Sequence, residues 1–252
     1  LLNFIVDKLV RKKIKKQFGG NLKAFVSGGG ALDKEIGEFL NSVGLPTLQG
    51  YGLTETSPVT HLNPEPPGRV VPGSIGICIP NTECRIVDYE TGKDLGTGKQ
   101  GELWIRGPQV MKGYLNNEEA TNQTIDPEGW LKTGDIAEVD EDGYFKIVDR
   151  VKELIKYKGF QVAPAELEAL LLTHPSIADC AVVPAEDPEA GEIPVGFVVY
   201  KENMVENPET IMEFIAQKVS PQKKIRRIIQ IEQIPKSPSG KILRRHLRDQ
   251  IA

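Results

Sequence analysis

A glycine-rich stretch that carries one carboxylate, residues 49–58 (QGYGLTETSP), has the residue types for nucleotide chemistry. Glycine lets backbone N–H groups approach a ligand closely, and Thr54 and Glu55 offer the hard oxygens that Mg²⁺ prefers. The stretch therefore predicts a turn that handles a nucleotide and a metal ion. Glycine, threonine, serine and proline are also ordinary loop residues, so a plain surface loop is an equal alternative on these residues alone.

A lysine near the C-terminal end, Lys241 in PKSPSGKILRR, is the second chemical feature. The prolines, serines and glycine before it predict a mobile turn followed by a helix, from which the lysine can be carried to a ligand held elsewhere. The segment is not a P-loop, because the glycine five residues before Gly240 is lacking and Ile242 stands where Ser or Thr is required.

The surroundings of this lysine are basic. Residues 218–248 contain ten lysines and arginines against one acidic residue, which suits an anionic ligand such as a phosphorylated small molecule. Aromatic residues do not alternate with the basic ones, so a platform for single-stranded nucleic acid is disfavoured. No nucleic-acid partner is expected, and an ordinary basic surface is the alternative.

Composition restricts the class of protein only broadly. The chain has 252 residues, a formal net charge of -4 and 39% hydrophobic residues, which is ordinary for a globular protein. No apolar run reaches the ~18–20 residues of a membrane span and no signal-peptide pattern occurs, so a cytoplasmic location without a transmembrane segment is expected. The basic amphipathic helix predicted at residues 2–18 leaves a membrane-peripheral location as the alternative.

The cysteines and histidines lack the spacing of a metal site or a disulfide framework. The cysteines are odd in number without a C-x-x-C pair, and the histidines form neither H-E-x-x-H nor H-x₃-H. Neither a disulfide framework nor a zinc site is therefore predicted. The residues are Cys78, Cys84, Cys180, His61, His174 and His246.

The first part of the chain has an α/β pattern. A short apolar strand (LKAFVS) runs into three glycines, a helix follows with Asp33 as its N-cap, and a strand at residues 46–49 leads into the glycine-rich stretch. Ligands of such sheets bind beyond the carboxyl ends of the strands, where both glycine segments fall.

The pattern changes twice further along. Four β-type segments (SIGICI, ECRIVD, GELWIRG and YFKIVD) predict an antiparallel sheet or a distorted β-barrel, with Trp104 and Trp130 packed inside it rather than stacked on a ligand. Alternating strands and helices then predict a small α+β unit. The expected fold is α/β plus α+β: the end of a large domain at 1–149, with an α/β segment at 1–70 and a β-rich subdomain at 71–149, then a small mobile domain at 150–252.

Six segments, in order, resemble motifs of the adenylate-forming superfamily, which includes acyl-CoA synthetases, 4-coumarate–CoA ligases, firefly luciferases and adenylation domains of peptide synthetases. They cover nearly the whole chain. They are SGGGAL, QGYGLTETSP, GELWIRGPQVMKGYLNNEEAT, GWLKTGDIA, FKIVDRVKELIKYKGFQVAPAELE and PKSPSGKILRR.

The resemblance implies that the large domain holds the nucleotide. Thr54 would contact phosphate, and Glu55 would hold Mg²⁺ against phosphate oxygens whose charge shifts as pyrophosphate leaves. Asp135, which follows a Thr-Gly pair predicted to be a turn, would accept the ribose hydroxyls with assistance from Arg150. The residues that would line the adenine and acyl pocket and contact the adenylate are Ser27, Gly28, Gly29, Gly30, Gly50, Tyr51 and Gly52.

The resemblance also implies that the small domain rotates between two half-reactions about Lys152. In the first arrangement Lys241 would reach the substrate carboxylate and the α-phosphate and neutralise oxyanion charge. In the second, Lys156 and Gly159 on the opposite face would serve thioester formation, Gly159 by letting the pantetheine thiol pass close to the backbone.

The implied reaction joins a carboxylic acid to coenzyme A through an acyl-adenylate, with ATP, Mg²⁺ and coenzyme A as cofactors. A fatty acid is the expected substrate because LVRKKIKKQFGG resembles long-chain synthetases, and an aryl or cinnamoyl acid is the alternative because KYKGFQVAPAELE resembles 4-coumarate ligases. The family's upstream Pro-Lys-Gly phosphate loop does not occur in these residues. The sequence therefore predicts the C-terminal half of a ligase that needs an N-terminal half as partner, with a non-catalytic nucleotide- or CoA-binding module as the alternative.

Overall fold

The fold starts with two parallel strands, as the α/β pattern predicts; three glycines follow the first strand, and the second ends in a glycine. The computed structural model describes residues 10–65, 69–238 and 240–251, so residues 2–9 of the helix predicted at residues 2–18 lie outside them. The chain divides into two units, Leu1–Ile147 and Val148–Ala252, two residues before the boundary expected from the sequence.

The first sheet of unit 1 has the strand order β1-β2-β3-β4, in which β1 and β2 are parallel and the other pairs are antiparallel. The connection between β1 and β2 is helix α2, whose predicted N-cap is confirmed: the Asp33 carboxylate accepts a hydrogen bond from the Ile36 N–H at 3.0 Å. The elements are α1 (Lys12–Gln17), β1 (Phe25–Ser27), α2 (Lys34–Ser42), β2 (Thr47–Gly52), β3 (Val59–Leu62) and β4 (Ile77–Cys78).

The second sheet has the order β5-β6-β7-β8, and its last strand continues past Ile147, the last residue of unit 1. Of the two forms that the sequence left open, the described residues form a four-stranded open sheet rather than a closed barrel. Its core is apolar, with Leu103 and Ile105 fully buried. The elements are β5 (Glu83–Val87), β6 (Gly101–Arg106), α3 (Glu118–Thr124), β7 (Leu131–Val139) and β8 (Phe145–Arg150).

Unit 2 is built on a five-stranded sheet of order β10-β9-β12-β11, with β13 parallel to β12 on its other side. Helix α4 starts with Pro164 at its first turn, as predicted. The 3-10 helix Val151–Glu153 precedes the sheet and Pro221–Lys223 precedes its last strand. The elements are β9 (Ile155–Tyr157), β10 (Phe160–Val162), α4 (Pro164–Leu172), β11 (Ile177–Asp187), β12 (Gly191–Tyr200), α5 (Pro208–Ala216), β13 (Arg227–Gln230) and α6 (Arg244–Arg248).

Both faces of this sheet are buried. Alternate residues of β11 belong to different cores, because successive side chains of a strand point to opposite faces. Cys180 and Val182 pack with the apolar sides of α4 and α5, whereas Ala181 and Val183 pack with Leu247 of α6. Within the described residues no helix has the length and apolar character needed to cross a membrane.

Candidate active site

The two glycine segments predicted to contact a nucleotide lie side by side. Ser27, the last residue of β1, pairs with Gln49 of β2. A Cβ built on Gly28 would lie 3.9 Å from the carbonyl oxygen of Gly50, so the backbones of the two segments are close neighbours. Gly29 has a φ of 80°, which favours glycine. Gly30, the last residue predicted to line the adenine and acyl pocket, follows Gly29.

The second glycine segment is strand rather than the predicted turn. Gly50, Tyr51 and Gly52 end β2, and the turn begins only after them. Glycine is needed at position 52 because a Cβ there would overlap the carbonyl group of Pro58. The sequence misled because Gly-x-Gly is typical of turns, whereas this one allows β2 to pass close to the returning chain.

A buried threonine that the sequence analysis did not single out holds the turn after β2. The 3-10 helix Thr54–Thr56 forms this turn, and the Thr56 hydroxyl accepts from the Leu53 N–H at 2.9 Å and donates to the Pro58 carbonyl at 2.5 Å. Thr56 is 0% exposed, whereas Thr54 is exposed. Ser57 has a φ of 58°, a conformation that costs energy outside glycine. The turn therefore has a fixed shape, with Thr54 on its surface.

Glu55 is oriented by a second loop of unit 1. The Tyr114 hydroxyl donates to Glu55 Oε1 at 2.7 Å, and the Met111 N–H donates to the Glu55 carbonyl at 2.8 Å. The hydrogen bond to this carboxylate raises the pKa of Tyr114 above its ordinary value. Tyr114 is part of the quoted motif MKGYLNNEEAT, but a contact across 59 positions has no local signal in the sequence.

Asp135 lies in strand β7 rather than in the turn that the Thr-Gly pair predicted. Gly134 has a φ of 72°, and the β6–β7 register shifts between Glu102 and Trp104, so the pair forms an irregularity inside a strand. The Gly134 N–H donates to Glu102 at 2.9 Å. This bracing positions a buried carboxylate, since Asp135 is 5% exposed.

One hydrogen bond connects the two sheets of unit 1 through predicted site residues. The Tyr51 hydroxyl donates to Asp135 Oδ2 at 2.6 Å, although the residues are 84 positions apart. Residues from QGYGLTE and GWLKTGD are therefore adjacent in space.

The predicted residues of unit 2 occupy separate elements of its surface. Arg150 ends β8, Lys152 is in the 3-10 helix Val151–Glu153, and both are exposed. Lys156 is an exposed residue of β9, while Gly159 follows Lys158 in the two-residue turn between β9 and β10. Both turn residues have positive φ, 47° and 79°, as a type I′ hairpin requires. The geometry of the turn thus accounts for a glycine at position 159.

Lys241 is exposed on a tight turn. The Ser237 N–H donates to the Lys241 carbonyl at 2.8 Å, and the Lys241 N–H donates to the Ser237 hydroxyl at 3.2 Å. Helix α6 begins only at Arg244, three residues later than the predicted helix, so the lysine lies on the turn and not on a helix. The side chain is available to solvent within its unit.

Part of the basic segment around Lys241 is structural. Arg244 donates to the Glu168 carboxylate at 2.7 and 3.1 Å, and burial raises the pKa of Glu168 despite this cation. Lys223 pairs with Glu166 at 2.6 Å, and Lys236 pairs with Asp179 at 2.6 Å. Some of the basic residues counted in the sequence are therefore paired with carboxylates of their own unit, so fewer of them can face a ligand.

The two tryptophans pack within unit 1, as predicted. Trp130 is 7% exposed, and the Arg85 guanidinium lies 4.2 Å from its ring centre and 4.8 Å from that of Trp104. Arg106 lies 4.5 Å from the Trp130 ring. Stacked guanidinium groups occupy ring faces that a ligand would otherwise use.

Comparison with known proteins gives a consistent family. Residues 1–115 match the family model described as AMP-binding enzyme, and residues 166–241 match that of the AMP-binding enzyme C-terminal domain. The chain is 52% identical over 239 residues to 4-coumarate–CoA ligase 1 of Glycine max, which covers 92% of this chain and 81% of that protein. It is 51% identical over 245 residues to 4-coumarate–CoA ligase 2 of Narcissus pseudonarcissus, covering 95% of this chain and 43% of the relative.

A solved structure matches the fold as well. The ATP-bound form of MatB from Rhodopseudomonas palustris superposes with a TM-score of 0.87 at 29% identity, over 93% of this chain and 46% of that one. The chain spans 40% to 47% of the length of seven other curated relatives that it matches. On the family models and the soybean relative together, this chain belongs to the adenylate-forming family of AMP-binding enzymes, among relatives named CoA ligases.

Proposed function

We propose that this chain is the nucleotide-turn and C-terminal part of an acid–CoA ligase, which activates a carboxylic acid with ATP and transfers the acyl group to coenzyme A. The hydrogen bond from Tyr51 to Asp135 carries the proposal, because it joins two family motifs from different sheets at a buried carboxylate. An Asp in this position, oriented by a tyrosine, would accept the hydroxyls of a ribose. Arg150 is proposed to assist it.

The Mg²⁺ site is proposed at Glu55. The donor set fits this ion, because a half-buried carboxylate and the exposed hydroxyl of Thr54 are hard oxygen ligands on a turn of fixed shape. When bound, Mg²⁺ would neutralise charge on phosphate oxygens. Thr54 would contact the same phosphates, and Tyr114 would hold the Glu55 carboxylate in one orientation.

Lys241 is proposed to supply positive charge during adenylation. Its exposure on a braced turn supports a role in which the ammonium group reaches a ligand outside its own unit. There it would stabilise the carboxylate oxygen that attacks and the α-phosphate that is attacked. Lys152 is the proposed hinge, and Lys156 and Gly159 are proposed to serve the CoA-dependent step.

The substrate is proposed to be an aryl-propenoic acid of the 4-coumarate type. The names of the soybean and daffodil-genus relatives, which share about half of their residues with this chain, favour it over the fatty acid expected from the sequence. A fatty acid is therefore the comparison substrate in the test.

The cytoplasmic location stays a prediction.

The remainder of the large domain is proposed as the partner of unit 1. Side chains near the start of the described chain are apolar and exposed: Phe39 is 63% exposed and Val26 is 67% exposed. Both belong to elements of the α/β segment, α2 and β1, which ordinarily bury such residues against further strands and helices. This surface is where the missing half would pack.

The test compares the chain of residues 1–252 with the whole ligase encoded by its reading frame. We expect pyrophosphate release from the whole ligase with ATP, Mg²⁺ and 4-coumarate, and slower release with palmitate. We expect the isolated chain to bind AMP in calorimetry without turnover. AMP binding without any release from the whole ligase would instead support a non-catalytic module, and release only with palmitate would refute the aryl substrate.

A further inference from the structure

Two cysteines and a buried histidine meet at the edge of the first sheet of unit 1. Cys78 Sγ lies 2.7 Å from Cys84 Sγ and 3.4 Å from His61 Nε2. The spacing of these residues in the sequence predicted neither a disulfide framework nor a zinc site, and it did not indicate this cluster of two free thiols and an imidazole. The reason is strand pairing: His61 of β3 lies opposite Cys78 of β4, and the chain then turns back to place Cys84 beside it.

The surroundings favour a reactive thiol. The hydrogen bond with Cys84 and the neighbouring His61 hold the pKa of Cys78 below that of an ordinary thiol, against the opposing effect of burial. The Thr60 hydroxyl lies 3.0 Å from His61 Nδ1 and fixes the orientation of the ring. Both cysteines are partly exposed residues that pack against the margin of an apolar core.

We propose that Cys78 and Cys84 form a dithiol–disulfide pair that exchanges with a low-molecular-weight disulfide such as oxidised glutathione. The Cys78 thiolate attacks one sulfur of the reagent, forming a mixed disulfide and releasing the first glutathione thiolate. Cys84 loses its proton and attacks Cys78 Sγ, which releases the second. Two protein thiols are oxidised and one disulfide reagent is reduced to two thiols.

The three side chains also resemble a zinc site, since their donor atoms lie within 4.8 Å of one another. A structural zinc site uses four protein ligands, whereas this group offers three within the described residues. The zinc content of the untreated protein distinguishes the two chemistries.

Oxidation at this pair would act on the nucleotide site, and this consequence rests on the proposed function. Tyr51, His61 and Cys78 lie opposite one another across three neighbouring strands. The rings of Tyr51 and His61 are in edge contact, with centres 5.9 Å apart, and Tyr51 donates to Asp135. A bond between Cys78 and Cys84 would move Cys78 Sγ relative to His61 Nε2. We expect the His61 ring to move with it and to displace the Tyr51 ring that it contacts.

The first experiment treats the full chain with oxidised glutathione, blocks free thiols with N-ethylmaleimide and maps the products by mass spectrometry. We expect a Cys78–Cys84 disulfide that dithiothreitol reverses, with Cys180 still free. The Cys180→Ser variant should form the same disulfide, and Cys84→Ser should retain only a mixed glutathione adduct at Cys78.

Three outcomes would overturn the proposal: full alkylation of both cysteines after treatment, glutathione adducts on the wild-type pair without a bond between them, or stoichiometric zinc in untreated protein. AMP binding is then measured on the reduced and oxidised chains. We expect affinities that differ about fivefold or more, and equal affinities would refute the link to Tyr51. Absence of AMP binding in both forms would refute the proposed function instead and leaves the disulfide result to stand by itself.

Discussion

The two units differ in how completely they bury their apolar residues. In unit 2, both faces of the sheet are covered, and Phe197 and Leu247 are 0% exposed in the same core. In unit 1, strand β1 and helix α2 present Val26 and Phe39 to solvent. Strands and helices of an α/β segment ordinarily bury such side chains against further elements. Unit 2 thus has the core of a self-sufficient fold, whereas the beginning of unit 1 has the surface of an incomplete one.

The candidate site residues differ between the units in the same way. Asp135 and Glu55 of unit 1 are oriented by hydrogen bonds from Tyr51 and Tyr114, so their carboxylates are positioned before a ligand arrives. Lys241 of unit 2 extends from an exposed turn. The proposed function uses this difference, with oriented carboxylates in unit 1 and an exposed ammonium group in unit 2.

The largest expected effect is on unfolding, from truncation of a core side chain of unit 2. Phe197→Ala should lower the free energy of unfolding of that unit by about 3–5 kcal/mol, because it removes buried apolar contacts and leaves a cavity. Phe39→Ala is the matched control in unit 1 and should change stability by less than about 0.5 kcal/mol. Urea unfolding of the 252-residue chain, followed by circular dichroism, measures the free energy of unfolding of both variants. Similar costs for the two variants would contradict the difference in burial between the units.

The next effect is on catalysis by the whole ligase. Lys241→Ala should slow pyrophosphate release by roughly 100-fold, since a charge that acts on the transition state is lost. Unfolding should change little because the side chain is exposed. The matched control is Arg245→Ala, an exposed cation of the same basic end, which should retain near-normal release. Equal losses in the two variants would mean that Lys241 contributes only to a general basic surface.

A smaller effect is expected at the bridge between the two sheets of unit 1. Tyr51→Phe removes a hydrogen bond to a carboxylate and should weaken AMP binding by about 1.5–3 kcal/mol. The control is Tyr144→Phe, whose hydroxyl donates to the Arg69 carbonyl at 2.6 Å and should not affect AMP binding. Isothermal titration calorimetry compares the variants. If Tyr51→Phe binds AMP as the wild type does, Asp135 does not need this tyrosine to hold a ribose.

Local signals predicted a good part of the fold. Asp33 before an apolar helical pattern and Pro164 at a first turn both mark helix starts, and both helices begin there. The strand–helix–strand order of the first segment followed from short apolar runs and glycines, and its two strands are parallel. These features depend on neighbouring residues only, which is why the sequence contains them.

Contacts between distant segments were not predictable in the same way. The Thr-Gly pair before Asp135 resembles a turn locally, and only pairing with β6 makes it an irregularity within a strand. The contact of Tyr114 with Glu55 and that of Cys78 with Cys84 and His61 depend on how loops and strands return to one another. The family resemblance indicated which residues matter, but the structure was needed to find what orients them.

The smallest effect is expected where the site of unit 1 is most exposed. Tyr114→Phe removes the hydroxyl that orients Glu55 and should lower stability by less than about 1 kcal/mol, because solvent competes for an exposed hydrogen bond. Because the pKa of Tyr114 is raised in the folded protein, its hydrogen bond contributes fully to stability below the ordinary tyrosine pKa of 10.0. This contribution is lost as the pH rises through the higher pKa of the folded state. Urea titrations that follow the unfolding of unit 1 measure the stability difference between wild type and variant. This difference should therefore be constant from pH 7 to pH 9 and shrink in more alkaline buffer. In the whole ligase, the same substitution should raise the Mg²⁺ concentration needed for half-maximal pyrophosphate release and leave AMP affinity without Mg²⁺ unchanged. A loss of AMP affinity without the ion would show instead that Tyr114 shapes the nucleotide pocket and does not act through Glu55.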